Sequence, residues 1–213
     1  PPALSVVLVG DDPSSHAYVR MKRRACEEVG IRSEVLLFPS SIEESTLLSE
    51  IDRLNQSSEV DAILVQLPLP KHLSTSKVLF HVASEKDVDG FHPVNAGLLL
   101  IGDAQAKIPC TPLGVQELLM RSSFDPAGKH VVIVGRSNIV GKPLAALLMQ
   151  KREGSNATVT VVHSQSEHLK SYTQQADILI AAMGQPHFIT PSHVREGVVV
   201  IDVGISYQGK KMV

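Results

Sequence analysis

The sequence predicts an α/β fold made of two αβα domains with mostly parallel sheets, the second of them Rossmann-like. Three observations carry this. Runs rich in Val and Ile recur along the whole chain, segments of helical period separate them, and residues 129–149 read as a buried strand, a glycine turn and a helix. With 213 residues, 43% hydrophobic and 20% charged, the chain is long enough to bury one large core or two smaller ones.

Strands are expected at residues 4–9, 34–38, 62–66, 130–134, 158–162, 178–181 and 198–203, with helices between them. The first helix covers residues 14–29. Its periodicity places Ser15, Tyr18, Lys22, Ala25, Cys26 and Val29 on one stripe, with Arg20, Arg23, Arg24, Glu27 and Glu28 opposite. Gly30 suits a left-handed helix end, and Ser40-Ser41 with Glu43 and Glu44 is expected to open the next helix. Between Pro68 and Pro112 the pattern is irregular, because LPLPKH, EKDVDGFHP and IPCTP interrupt regular elements. A domain boundary is expected near Thr111, giving a first domain of residues 1–111 and a second of 112–213, entered through a linking helix at 112–121. A start at Pro1 without Met and an end just after a strand suggest a piece of a longer protein, trimmed at both ends.

Charge and composition narrow the partners. A formal net charge of −2 offers no basic surplus for phosphate backbones, so nucleic acid is not expected. No apolar run reaches the roughly 20 residues of a membrane span, and no secretory segment is present, so the chain is expected to be soluble and cytoplasmic. Cys26 and Cys110 form no paired motif, in keeping with a reducing compartment. The nine histidines show no metal-ligand spacing and no G-x-S-x-G elbow is present, so neither a catalytic metal nor a Ser-His-Asp site is expected.

Lys22 is the most informative residue. An ammonium on the apolar stripe either snorkels outward along its methylenes or does work that needs a lysine shielded from water. Tyr18 and Ser15, at helical spacing on the same face, could join it in a polar cluster. Gln66 follows a strand buried on both faces, at the carboxyl end where open α/β sheets place ligands. It could bond to Lys22 or Tyr18, or simply be satisfied by loop backbone. Asp87 and Asp89 flank a turn at Gly90, where such carboxylates usually cap backbone N–H groups.

In the second half, Gly135 and Gly141 bracket a turn at which backbone N–H groups and a helix start could receive a pyrophosphate; a plain strand-to-helix turn is the alternative. NAD sites normally carry a carboxylate at the end of the next strand, but here that strand runs into His163-Ser164-Gln165-Ser166. Ser164 and the Arg136 guanidinium would instead accept a ribose 2′-phosphate, which favours NADP. A further glycine turn, at Gly204-Ile205, is expected at the same sheet edge.

Taken together, Tyr18-Val-Arg-Met-Lys22, Val65-Gln-Leu-Pro-Leu-Pro70, Lys86-Asp-Val-Asp-Gly90, Pro109-Cys-Thr-Pro112 and Gly135-Arg-Ser-Asn-Ile-Val-Gly141 closely resemble the bifunctional methylenetetrahydrofolate dehydrogenase/methenyltetrahydrofolate cyclohydrolase family, in family order. The resemblance implies two domains with a cleft, folate on the first and NADP on the second. It implies oxidation of methylenetetrahydrofolate and hydrolysis of the methenyl product to formyltetrahydrofolate, within one-carbon metabolism serving purine biosynthesis, by a homodimer. It makes Lys22 the key catalytic residue, Tyr18 its partner over the pterin, Gln66 the residue that tunes the lysine and Asp89 the carboxylate that grips the pterin edge. Ser15, Val65 and Leu67 would complete the folate site. Thr111 would lie near the nicotinamide, while Gly135, Arg136, Ser137, Ser164 and Ile205 would line the NADP site. The competing readings are a shikimate-type NADP dehydrogenase and a non-catalytic nucleotide-binding module.

Overall fold

The computed structural model describes residues 1–204 in full, together with the backbone at Tyr207–Gln208 and Lys211–Met212. The chain forms two compact units, Pro1–Asn95 and Ala96–Val213.

The first unit begins with β1 (Ala3–Val9), α1 (Pro13–Glu28), β2 (Arg32–Phe38), α2 (Glu44–Gln56), β3 (Ala62–Val65) and α3 (Thr75–His81). Its sheet is parallel, in the order β2-β1-β3. The chain moves to one side of β1 and then to the other, so right-handed crossovers put α1 and α2 on opposite faces. Strand alternation matches this arrangement. Val6, Leu8 and Leu64 meet Val19 of α1, while Val7, Val9, Ile63 and Val65 meet Leu47, Ile51 and Leu54 of α2 and Val78 of α3. Each fully buried Leu or Ile here stabilises the fold by roughly 1.5–3 kcal/mol.

Helix α4 (Pro93–Ile101) spans the division between the units. The second unit continues with α5 (Cys110–Arg121), β4 (His130–Val134), α6 (Gly141–Leu148), β5 (Thr158–Val162), α7 (Leu169–Thr173), β6 (Ile178–Ala181) and β7 (Val199–Asp202). The sheet is parallel in the order β5-β4-β6-β7, and a two-residue antiparallel ribbon, β8 (Tyr207–Gln208) with β9 (Lys211–Met212), follows. Ile133, Ile178 and Ile180 face α5 and α6, whereas Val132, Val134 and Leu179 face the other way. Gln116 of α5 donates to Gly154 O (2.7 Å) and Ser155 Oγ (2.9 Å), tying down the polar loop after α6.

The predicted fold class and its seven parallel strands agree with this architecture. Three local expectations do not. The region between Pro68 and Pro112 contains α3, α4 and the start of α5. Pro93 stands at the first position of its helix, where a missing N–H costs nothing, so a proline that read as a breaker is a start signal. Ser40 and Ser41 do not cap α2; Glu43 occupies the cap position without a side-chain bond. The buried stripe of α1 is also rotated. Ser15, Val19 and Cys26 are buried, whereas Tyr18 is 50% and Val29 71% exposed, and Ala25 is exposed. Val19 reaches the sheet between Leu8 and Leu64, and that contact fixes the rotation. Gly30 does adopt the expected left-handed conformation, at φ +76°.

Candidate active site

Open parallel sheets bind ligands at the carboxyl ends of strands where the crossover direction reverses. In the first unit this point lies between β1 and β3. Gln66 sits there, its backbone N–H donating to Val7 O of β1 (2.9 Å). Alternation along β3 aims Leu64, and Gln66 beyond it, at the face covered by α1. Lys22 lies one turn beyond Val19 on the rotated stripe and is half-buried. The two side chains meet, with Lys22 Nζ donating to Gln66 Oε1 at 3.4 Å. Gln66 Nε2 in turn donates to Leu67 O (2.8 Å), which orients the amide so that its oxygen faces the lysine. Of the alternatives open from sequence, both hold at once: Gln66 serves the loop backbone through its nitrogen and Lys22 through its oxygen.

Tyr18 stands one helical turn before Lys22, with the ammonium 5.4 Å from its ring centroid, a cation–π arrangement. Its half-exposed ring offers a flat apolar surface beside the amine. Ser15 is buried another turn back. Its N–H donates to Asp12 Oδ2 (2.8 Å), the cap of α1, and the Ser15 N–H and hydroxyl hold the Asp12 carboxyl below its usual range. Ser15 therefore braces the helix that carries Lys22. Val65 is buried in the core beneath α2 and α3, so its side chain faces away from Lys22, while Leu67 is partly exposed.

Asp89 lies in the turn after α3 and is partly buried. Burial pushes its carboxyl above the ordinary value of 3.8; the Lys22 charge opposes that shift and Asp87 adds to it. Lys22 and Asp89 thus feel one another electrostatically, and the structure brings Lys22, Tyr18, Gln66 and Asp89 into one neighbourhood. Asp87 behaves differently from its neighbour. It is buried, accepts from His92 N (2.8 Å) and Asn95 Nδ2 (2.8 Å), and so performs the capping expected of such turns. Asn95 was not singled out from sequence. Its polar side chain on an otherwise apolar helix, PVNAGLLLI, is the signal that could have marked it.

The second unit repeats the principle. Its reversal point falls between β4 and β6, where Gly135 follows β4 at φ +129°. A Cβ on Gly135 would stand 2.3 Å from Ala182 O, and one on Gly141 would stand 2.2 Å from Gly135 O. Both positions therefore demand glycine because backbone passes backbone there. Ser137 Oγ accepts from Val140 N (3.1 Å) and Gly141 N (3.4 Å), shaping the entry to α6. The backbone N–H groups of Arg136, Ser137, Asn138 and Ile139 have no acceptor among the described residues, the condition a pyrophosphate cradle requires. Val134 of β4 is paired with Val162 of β5, and Arg136 and Ser164 each stand two residues beyond that pair, both exposed. The turn at Ser164 is held by His163 N to Ser166 Oγ (3.0 Å) and Gln165 N to His163 Nδ1 (3.2 Å). These residues fit the ribose phosphate and pyrophosphate of a dinucleotide. Thr111 is exposed in the first turn of α5, and Ile205 lies outside the described residues. Among the described residues no cluster of three or more His, Cys, Asp or Glu could hold a metal ion.

A half-buried lysine bonded to a strand-end glutamine at the reversal point of one unit, and a glycine turn with unpaired N–H groups at that of the other, are the arrangement of a dinucleotide-dependent α/β enzyme. Comparison with known proteins gives the family. Residues 1–89 match the model of the tetrahydrofolate dehydrogenase/cyclohydrolase catalytic domain, and residues 109–213 match that of the NAD(P)-binding domain. The chain belongs to the tetrahydrofolate dehydrogenase/cyclohydrolase family. It is 50% identical over 206 residues to the bifunctional protein FolD of Protochlamydia amoebophila, covering 97% of this chain and 70% of that protein. With FolD 1 of Myxococcus xanthus the identity is 56% over 203 residues, 95% of this chain and 69% of the relative. The crystal structure of the bifunctional enzyme FolD from Campylobacter jejuni superposes with a TM-score of 0.92 at 46% identity, covering 99% of this chain and 74% of that one. The Trypanosoma brucei enzyme, solved with NADP cofactor and an inhibitor, gives a TM-score of 0.88 at 38% identity, over 96% of this chain and 69% of that one. Shikimate 5-dehydrogenase of Thermus thermophilus, with a TM-score of 0.55 at 12% identity, over 95% of this chain and 78% of that one, shares the fold alone, which removes the support for the shikimate-type reading.

Proposed function

We propose that the protein oxidises 5,10-methylenetetrahydrofolate with NADP and hydrolyses the resulting methenyltetrahydrofolate to formyltetrahydrofolate. The observation that carries the reading is Lys22 Nζ held 3.4 Å from Gln66 Oε1 at the carboxyl end of β3. In this reading residues 1–111 hold the folate and residues 112–213 the cofactor.

Bound NADP supplies the hydride acceptor; the chain's own residues hold, orient and deprotonate. The Gly135–Gly141 turn and its unpaired N–H groups would hold the pyrophosphate, Arg136 and Ser164 would hold the 2′-phosphate, and Thr111 would serve the nicotinamide end. Tyr18 lies against the pterin face, Asp89 accepts from the N–H groups along the pterin edge, and Val65, through its backbone, and Leu67 complete the folate site with Ser15 bracing α1. Removal of the hydride leaves a carbon cation shared by the two bridging nitrogens, and orientation supplies most of the catalysis at this step. Water then adds to that carbon. In this reading the Lys22 amine takes the proton of the attacking water, and Gln66 and Tyr18 fix where it does so. The adduct opens to the formyl product when its hydroxyl gives up a proton to form the formyl C=O, the C–N bond to one bridging nitrogen breaks, and that nitrogen takes up a proton. The same reading makes the protein a cytoplasmic homodimer supplying one-carbon units. No helix among the described residues is long and apolar enough to cross a membrane.

Incubation with methylenetetrahydrofolate and NADP, followed in absorbance for NADPH and for the methenyl intermediate, tests the reading directly. We expect NADPH to accumulate and added methenyltetrahydrofolate to decay faster than in buffer, with no NADPH formed from shikimate. Failure to reduce NADP, combined with no binding of tetrahydrofolate, overturns it.

A further inference from the structure

Residues 84–95 form an arc whose two ends are fixed and whose middle carries Asp89. At the start, Ile63 N donates to Lys86 O (2.8 Å), Ile63 and Asp87 make a parallel bridge, and Lys86 Nζ donates to Leu54 O (3.1 Å) and Ser57 O (2.7 Å) at the end of α2. At the finish, Asn95 is seated in the first turn of α4 and is 3% exposed. The ends are joined through the Asn95 side chain. Asn95 Nδ2 donates to Asp87 Oδ2 (2.8 Å) and to Ser84 O (2.9 Å), while the same Asp87 oxygen accepts from His92 N (2.8 Å). Asp87 is 5% exposed, so this carboxylate is spent inside the loop. Asp89, by contrast, has no hydrogen-bond partner among the described residues. Its direction therefore follows from the shape of the arc, with Gly90 at φ +69° making the bend that brings the chain back to His92.

We propose that Asp87 and Asn95 are positioning residues: their buried carboxylate–amide contact closes the arc and sets the direction in which Asp89 meets the pterin edge. The proposal rests on the folate reading above and adds to it two residues that touch no substrate. A buried amide facing a buried carboxylate is a contact whose loss leaves an unpaired charge, so the arc has a single low-energy closure rather than several. Putting a second carboxylate at position 95 removes the donor and adds like-charge repulsion inside the closure.

The test is titration of tetrahydrofolate and, separately, NADP into the wild type, Asn95→Asp, and the reciprocal exchange Asp87→Asn with Asn95→Asp, with KM and kcat measured alongside. Asn95→Asp is expected to weaken tetrahydrofolate binding by about tenfold or more and to raise KM for methylenetetrahydrofolate in step, the scale of one lost charged hydrogen bond. The fall in kcat should be smaller than the rise in KM, and NADP affinity should stay at the wild-type value. The exchange, which again sets a donor against an acceptor between positions 87 and 95 but leaves Ser84 O without its donor, should recover part of the lost affinity. Should Asn95→Asp fail to bind NADP and so prove misfolded, Asn95→Ser is read in the same titrations, with a weaker effect of the same pattern. Wild-type tetrahydrofolate affinity in the folded variant, or an exchange no better than Asn95→Asp, overturns the proposal while leaving the folate reading intact. A wild type that ignores tetrahydrofolate overturns that reading and this role with it.

Discussion

Lys22 Nζ donates to Gln66 Oε1 across 3.4 Å, joining the middle of the first helix to the end of the third strand. The contact exists because two periodicities converge: the helical stripe through Val19 and the strand alternation through Leu64 point at the same spot. Replacing the amine with an apolar chain of similar length separates its chemistry from its packing. Lys22→Met should reduce methenyltetrahydrofolate hydrolysis by about 10²-fold or more, the range of a lost general base, while hydride transfer to NADP is largely retained. Equal hydrolysis rates in variant and wild type would remove Lys22 from the mechanism.

Asp89 lends itself to a pH experiment. Its carboxyl is raised above 3.8 in the folded protein, mainly by burial, so the folded state holds that proton more tightly than the unfolded chain. Stability from this group is present below 3.8 and is lost as pH rises through the raised value. Asp89→Asn should therefore melt higher than wild type at neutral pH, with the advantage fading as the pH falls toward 3.8, and should bind tetrahydrofolate more weakly. Melting curves that separate equally at neutral pH and below 3.8 would show that burial of the charge is not the cause.

The nucleotide turn leaves no room for a methyl group at Gly141, where a Cβ would meet Gly135 O at 2.2 Å. Gly141→Ala should cost about 1–3 kcal/mol of stability through overpacking and backbone shift. NADP affinity should drop by about tenfold or more, since the shift acts on the pyrophosphate cradle itself. Unchanged NADP binding, measured by titration at a temperature where the variant is folded, would take the turn out of the site.

Cofactor choice is expected to reside in Ser164. Placed two residues past the Val134–Val162 pair, opposite Arg136, an aspartate there would repel the 2′-phosphate and accept from ribose hydroxyls instead. Ser164→Asp should weaken NADP by about tenfold or more and leave NAD comparatively unaffected. Parallel weakening of both cofactors, by isothermal titration, would show that position 164 does not read the phosphate.

Much of this was legible in sequence where one physical signal dominated. Buried parallel strands are continuous Val and Ile runs, so all seven appeared within two residues of their observed ends. Gln66 and Lys22 were legible as polar groups on apolar faces. Their mutual contact was open until the rotation of α1 was known, because Val19 lies between Tyr18 and Arg20 and its burial depends on Leu8 and Leu64, distant in sequence. Prolines misled between 68 and 112, since the same residue that breaks a helix interior begins α4 at Pro93. The Asp87–Asn95 contact was invisible for a different reason. The chain between them, with one left-handed glycine, decides whether two such side chains meet, and no local pattern encodes that closure.

The crowding of Gly135 against Ala182, and of Gly141 against Gly135, divides the nucleotide-binding region by how freely it can be altered. The turn is a rigid hub with no spare volume, whereas Arg136 and Ser164 project from its rim into solvent. Divergence in cofactor preference, whether natural or engineered, is thereby channelled to the rim, and lineages that exchange one dinucleotide for another should carry an unaltered hub.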